Sequence, residues 1–162
     1  MGSTLGKKFE ERFEEDWKET VQGSFIFRLK DQMSGYKEVS KNPCDYICFN
    51  KPLLYLLELK TTQENTFSVK FRQYDYLIEY KGIKGAHVGV IIWFYKHDVV
   101  VYVPITTFEK LIAEGKKSFN VKYLENDEYE YYIIPSIKLR KFMKSDYSKL
   151  VKYCENKETL ND

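Results

Sequence analysis

The sequence predicts a mixed-sheet α/β (α+β) fold, with helices flanking a central sheet. Three observations predict it. The chain opens on an apolar stripe of helical spacing, Leu5, Phe9, Phe13, Trp17 and Val21. Two long apolar runs read as strands: LLYLLELK at 53–60, which a short helix would also suit by composition but whose length and preceding hairpin-like connection favour a strand buried on both faces, and AHVGVIIWFY at 86–95, the most hydrophobic segment. A helix-like segment at 71–80 lies between them.

The elements follow in order. Residues 6–21 read as a helix, ended by Gly23 and Ser24. SFIFRLK at 24–30 reads as a strand, and the polar stretch after it, through Asn42, holds a Ser34-Gly35 turn. CDYICF at 44–49 is a short strand, joined by the tight Asn50-Lys51-Pro52 connection to the strand at 53–60. In the helix at 71–80, Phe71, Tyr74, Leu77 and Ile78 point to the core, and Gly82 and Gly85 mark its end. The central strand 86–95 turns at Lys96-His97-Asp98 and pairs with VVVYVP at 99–104. Thr106 or Thr107 caps a helix to about Ala113, ended by Gly115. YEYYIIP at 129–135 reads as an edge strand stopped by Pro135, with short helices at 137–144 and 146–154 and a frayed polar end.

With 162 residues, the chain fits one domain, its core spanning about 5–140 and a short extension covering 141–162. The net charge of +2 is too mild to establish nucleic-acid binding by itself. Aromatic residues reach 17%, with 14 Tyr and 11 Phe, a surplus that serves core packing first and stacking or a dimer face second. Cys44, Cys48 and Cys154 form no close C-x-x-C pair, which argues against a disulfide framework or a structural zinc site. His87, on an apolar strand, and His97, at a turn, lack metal-ligand spacing. No run reaches transmembrane length, no signal segment opens the chain, and no dinucleotide or Walker loop is present. The expectation is a soluble cytoplasmic protein with no membrane partner and no nucleotide cofactor.

One constellation carries chemistry. Asp45 lies in one short strand, and Glu58-Leu59-Lys60 ends the next. Glu58 and Lys60, two apart on a strand, share a face, and the hairpin-like connection brings Asp45 beside Glu58. Two adjacent carboxylates repel unless a cation lies between them, and their hard oxygens suit Mg²⁺ or Mn²⁺. The Leu59 carbonyl offers a further oxygen. Lys60 is placed to orient or deprotonate the attacking water, or to stabilise charge on a scissile phosphate. The alternative reading of a strand-end E-x-K is a solvated charge pair. On the first helix, Glu10 and Glu14 border the apolar stripe, and Glu10 is preferred as a further carboxylate, with Glu14 second. Gln73 is a candidate for holding a phosphate or a metal-bound water, and helix surface is its bland alternative. Lys70 and Arg72 flank it. Lys7 and Lys8, Lys116 and Lys117, and Lys138, Arg140 and Lys141 make further basic clusters.

These residues resemble the RecU-type Holliday junction resolvases of the PD-(D/E)XK nuclease superfamily. The matching stretches are GKKFEERF at 6–13, DYICF at 45–49, LELKTT at 57–62, NTFSVKFRQYDYL at 65–77, VGVIIWF at 88–94, VVYVP at 100–104 and GKKSF at 115–119. The resemblance implies a restriction-endonuclease-like fold with an αβββαβ core. It implies a Mg²⁺-dependent endonuclease, a homodimer placing paired nicks at four-way DNA junctions. By motif position it assigns Glu10 as the helix glutamate, Asp45 and Glu58 as metal carboxylates, Lys60 as the active-site lysine and Gln73 as the polar residue of the second core helix. The family's stalk between its first two core strands is reduced here to residues 31–42, with Tyr36, Lys37 and Lys41 as its counterparts. So compact a version suits a bacteriophage or mobile element, acting in the host cytoplasm. A restriction or repair endonuclease of the same fold, and a catalytically inactive DNA-binding protein, stand as alternatives.

Overall fold

A computed structural model describes residues 2–30 and 42–161; the Ser34-Gly35 turn and Tyr36, Lys37 and Lys41 lie outside the described residues. Helix α1 (Gly2–Thr20) is followed by strands β1 (Phe25–Arg28), β2 (Tyr46–Asn50), β3 (Leu53–Thr62) and β4 (Thr66–Ser68). Then come the short helix α2 (Tyr74–Leu77), β5 (Ala86–Phe94), β6 (Val99–Pro104), α3 (Ile105–Ala113), β7 (Ser118–Asn120), β8 (Tyr132–Ile133), β9 (Ser136–Lys138), β10 (Met143–Ser145) and α4 (Tyr147–Asn161). Six strands form a mixed sheet in the order β1-β2-β3-β5-β6-β8, in which only β3 and β5 are parallel. The mixed sheet flanked by helices is the architecture expected, and α1-β1-β2-β3-α2-β5 follows the αβββαβ order.

The period of two along β3 and β5 divides the core into two layers. Tyr55, Leu57, Leu59, Ile91 and Trp93 pack with Phe9, Phe13 and Trp17 of α1 and with Tyr147 and Leu150 of α4. Leu56, Val90, Ile92 and Phe94 face Phe108 and Leu111 of α3 on the other side. The stripe read from the sequence is thus the buried face of α1, with Phe13 and Trp17 fully enclosed. The three cysteines are free and buried, as small core residues. Among the described residues, no helix is long and apolar enough to cross a membrane.

Several boundaries differ from the expectation. Asp45 lies in a bend just before β2 rather than within a strand, because the pairing of β2 with β3 begins at Tyr46↔Leu57. β3 continues to Thr62, so Glu58 and Lys60 sit inside it rather than at its end. The helix expected over 71–80 is α-helical only for Tyr74–Leu77 and then tightens to a 3₁₀ turn, Ile78–Tyr80. Its aromatic and β-branched residues are modest helix formers, and tertiary packing of Leu77 fixes what helix there is. Neither Thr106 nor Thr107 caps α3; Pro104 holds that position, and Thr107 Oγ1 donates to the Glu130 carbonyl at 2.6 Å. The edge strand shrinks to Tyr132–Ile133. β4 and β7, unexpected from the sequence, pair antiparallel as a separate two-stranded sheet.

The helix expected over 137–144 is instead the β9–β10 hairpin. Contacts from α1 hold it: the Ser145 N–H donates to the buried Asp16 carboxylate at 2.9 Å, and Lys144 pairs with Glu19 at 3.0 Å. The end of the chain is helical rather than frayed. Asp146 caps α4 by accepting from the Ser148 N–H at 3.0 Å, and Tyr147, Leu150, Val151 and Cys154 bury a helical stripe. Glu158, in the last turns, lies 3.0 Å from His87 Nε2 and ties the helix to β5.

Candidate active site

The pairing of β2 and β3 positions the acidic centre. Past Tyr46↔Leu57, β2 gives way to the bend that holds Asp45, so the strand edge of β3 beyond Leu57 has no ladder partner on that side. The Leu59 N–H turns into the gap and donates to Asp45 Oδ2 at 2.8 Å. A residue's N–H and C=O lie on the same edge of a strand, so the Leu59 carbonyl faces the gap too. Glu58 and Lys60 share one face of β3, and Lys60 Nζ lies 3.2 Å from Glu58 Oε1.

These groups line a cavity of about 200 Å³ together with Glu10, Arg72 and Gln73. Glu58 is 2% exposed, and with both carboxyls ionised its buried Oε2 meets no donor among the described residues, so it hydrogen-bonds Asp45 only when one of the two holds a proton. Burial, then the charge of Asp45, pushes its carboxyl from an ordinary value of 4.5 up to about 8, with Lys60 pulling the other way. Burial also raises the Asp45 carboxyl, opposed by the Leu59 N–H and Lys60. The Cys44 thiol lines the same cavity and is pushed up to about 12, by burial first and then by Glu58 and Asp45. An uncharged thiol of that kind is a poor ligand for a hard cation.

The helix carboxylates separate into two environments. Glu10 lines the cavity and forms an ion pair with Arg28 of β1. Glu14, one turn on, pairs with Lys18 at 2.8 Å and accepts from the Tyr46 hydroxyl at 3.3 Å. Lys18 chiefly holds the Glu14 carboxyl below the usual range. Gln73 stands at the N-cap of α2 without a side-chain cap bond, and its buried Oε1 has no partner among the described residues. Arg72 reaches the cavity beside it, whereas Lys138, Arg140 and Lys141 line a different cleft.

The donors fit a hard divalent cation in a limited way. Two carboxylates meet at the cavity, one with a buried oxygen that lacks a donor among the described residues when both are ionised, beside a backbone carbonyl. Mg²⁺ is commonly held by one or two carboxylates while it keeps several waters. Among the described residues, no group of three or more His, Cys, Asp and Glu side chains is gathered as a metal cage. A larger cavity, about 430 Å³, opens at the opposite end of β5 around His87 and Glu158. Its carboxylates, Glu130 and Glu158, each have a cationic or imidazole partner, Lys157 at 3.6 Å and His87 at 3.0 Å.

The chain is similar to a Holliday junction resolvase, Hjc of Archaeoglobus fulgidus, an archaeal hyperthermophile. The two share 18% identity and a TM-score of 0.48, over 63% of this chain and 78% of that one. No protein-family model and no curated protein matches the sequence.

Two residues of the site were not legible as such in the sequence. Arg28 reaches Glu10 because β1 pairs Arg28 with Tyr46, one residue from Asp45. Asn42 joins the cavity wall and donates from Nδ2 to the Lys30 carbonyl at 2.9 Å. Strand register governs the first placement, and no local motif encodes it.

Proposed function

We propose that this protein is a Mg²⁺-dependent endonuclease that hydrolyses DNA phosphodiesters at four-way junctions, with Mn²⁺ able to substitute. The observation that carries the reading is the meeting of Asp45 and Glu58 in one open cavity, with Lys60 3.2 Å from Glu58. A solvated charge pair does not explain a Glu58 that is 2% exposed. Burying two carboxylates together is costly, and a cation relieves that cost.

Asp45, Glu58 and the Leu59 carbonyl, with Glu10 on the cavity wall, would hold the cation, which would polarise the phosphate and acidify the attacking water. The chain's own groups do the rest. The Leu59 N–H fixes the Asp45 carboxylate. Lys60, one-third exposed, reaches both Glu58 and the cavity and orients the attacking water or offsets charge on the phosphate. Arg72 and Gln73 meet the phosphate from the α2 side. The choice of junctions as substrate rests on the resemblance of the sequence stretches given above. A homodimer would join two such sites for paired, symmetric nicks, and the aromatic face of β1 and β2 is the surface best suited to it. Phe25, Phe27 and Phe49 are 54%, 52% and 43% exposed on that face.

The test compares purified protein on junction, flap, linear duplex and single-stranded DNA, with Mg²⁺ or EDTA. Symmetric junction nicks that need Mg²⁺ are expected. Asp45→Asn and Glu58→Gln abolish cleavage and keep junction binding, and Lys60→Ala slows turnover about 10²-fold or more. Undiminished cleavage by both carboxylate variants overturns the site. Cutting of ordinary duplex at a short sequence selects a restriction-type enzyme, and binding without cleavage selects an inactive DNA-binding protein.

A further inference from the structure

The β9–β10 hairpin stands outside the six-stranded sheet, and its purpose is not explained by the acidic cavity. Its register pairs Met143 with Lys138, and Leu139, Arg140, Lys141 and Phe142 form the tip, closed by Leu139 N–H donating to the Phe142 carbonyl at 2.7 Å. Met143 is buried in the core and Ser145 is bound to Asp16, so the base is fixed. Between the hairpin and the sheet lies a cleft of about 300 Å³. Trp93, Tyr95 and Phe142 make it aromatic, and Lys138, Arg140 and Lys141 make its rim basic. Lys8 of α1 adds a further cation, with Nζ 6.0 Å from the Phe142 ring centre. Asp98 is the one carboxylate in the lining, and Lys138 already neutralises it at 2.7 Å. Arg140 and Lys141 have no carboxylate partner among the described residues. Trp93 is 5% exposed, and its indole N–H has no acceptor there.

We propose that this cleft binds one unpaired nucleotide of the DNA strand, its base against Phe142 and Tyr95 and its flanking phosphates on Arg140 and Lys141. The inference rests on the nuclease reading and specifies a substrate contact for it. Aromatic walls under a cationic rim are the chemistry of single-strand binding, where every base offers a face to stack on and lysine and arginine track the phosphates. The cleft is too narrow for a duplex and large enough for one base.

Its position supports the same occupant. Lys60 pairs with Ile92 in the parallel ladder, and Trp93 is the next residue. Phe9 packs on Trp93 at 5.6 Å, and Glu10, its neighbour in α1, lines the acidic cavity. The two openings therefore lie toward the same end of β3 and β5.

The experiment titrates wild-type protein in EDTA with a dT oligonucleotide of about six residues, reading affinity at several salt concentrations and tryptophan emission. Trp17 is fully enclosed, so a change in emission reports Trp93. Phe142→Ala is expected to weaken binding about tenfold, with Phe142→Tyr restoring it. Arg140→Ala combined with Lys141→Ala lowers the salt slope by about 1.4. Both sites are exposed, so this second variant keeps its fold even where Phe142→Ala does not. Unchanged affinity, salt slope and emission in both variants overturn the inference. Junction cleavage by Mg²⁺-loaded protein is measured alongside. Cleavage with unaltered oligonucleotide binding in the variants sinks the cleft alone. The expected binding losses with no cleavage by any protein sink the nuclease reading alone.

Discussion

At the scale of residues, Glu58 links the site to stability. Burial, then the Asp45 charge, pushes its carboxyl from an ordinary 4.5 up to about 8. Between those values the folded chain holds a proton that the unfolded chain has released. Stability is therefore highest below the unfolded value and falls as pH rises through the window, by up to about 1.4 kcal/mol per pH unit. A cation requires the carboxylate form, so Mg²⁺ affinity rises toward pH 8 and binding releases a proton. Melting of metal-free protein from pH 5 to 8 should show the decline. Glu58→Gln should flatten it and melt higher at pH 8, and Mg²⁺ should recover much of the loss in the wild type. An equal slope in Glu58→Gln would mean that another group titrates there.

At the scale of elements, the closeness of β5 and β6 depends on Gly89. A Cβ at that position would lie 2.5 Å from the Val103 carbonyl oxygen and 2.7 Å from Tyr102 Cε2, both from the partner strand. Backbone cannot yield as a flexible side-chain tip does. Gly89→Ala should force the strands apart and cost about 1–3 kcal/mol, read as a lower urea midpoint at an unchanged slope. The same displacement passes to β3 through its parallel ladder with β5, so this variant should also lose cleavage, although it touches no group of the acidic cavity. A midpoint equal to wild type would show that the sheet absorbs the methyl.

At the scale of the whole molecule, the sheet has an exposed aromatic edge. β1 is the terminal strand, Phe25 and Phe27 stack at 6.2 Å, and Phe25 lies opposite Phe49 on β2. Exposed apolar edges invite pairing with another chain. On the proposed dimer and nuclease reading, Phe25→Lys with Phe27→Lys should leave melting little changed, shift sedimentation to monomer and turn paired nicks into single ones. A wild type that sediments only as monomer while nicking in pairs would remove this face from the account.

The sequence by itself determined the long elements and which acidic and basic side chains would come together. The stripe from Phe9 to Val21, the apolar runs at β3 and β5 and the pairing of β5 with β6 are local periodicities, and short-range physics reads them. Asp45, Glu58 and Lys60 were legible for the same reason, since spacing on neighbouring strands sets which side chains can meet. Tertiary structure alone decided the rest. The 137–144 segment became a hairpin because Asp16, 129 residues away, accepts the Ser145 N–H. β4 exists because Thr66 pairs with Asn120, far along the chain. Arg28 reached Glu10 through strand register. The protonation of Glu58 follows from how completely the layers around β3 exclude water, and no pattern of neighbouring residues records that burial.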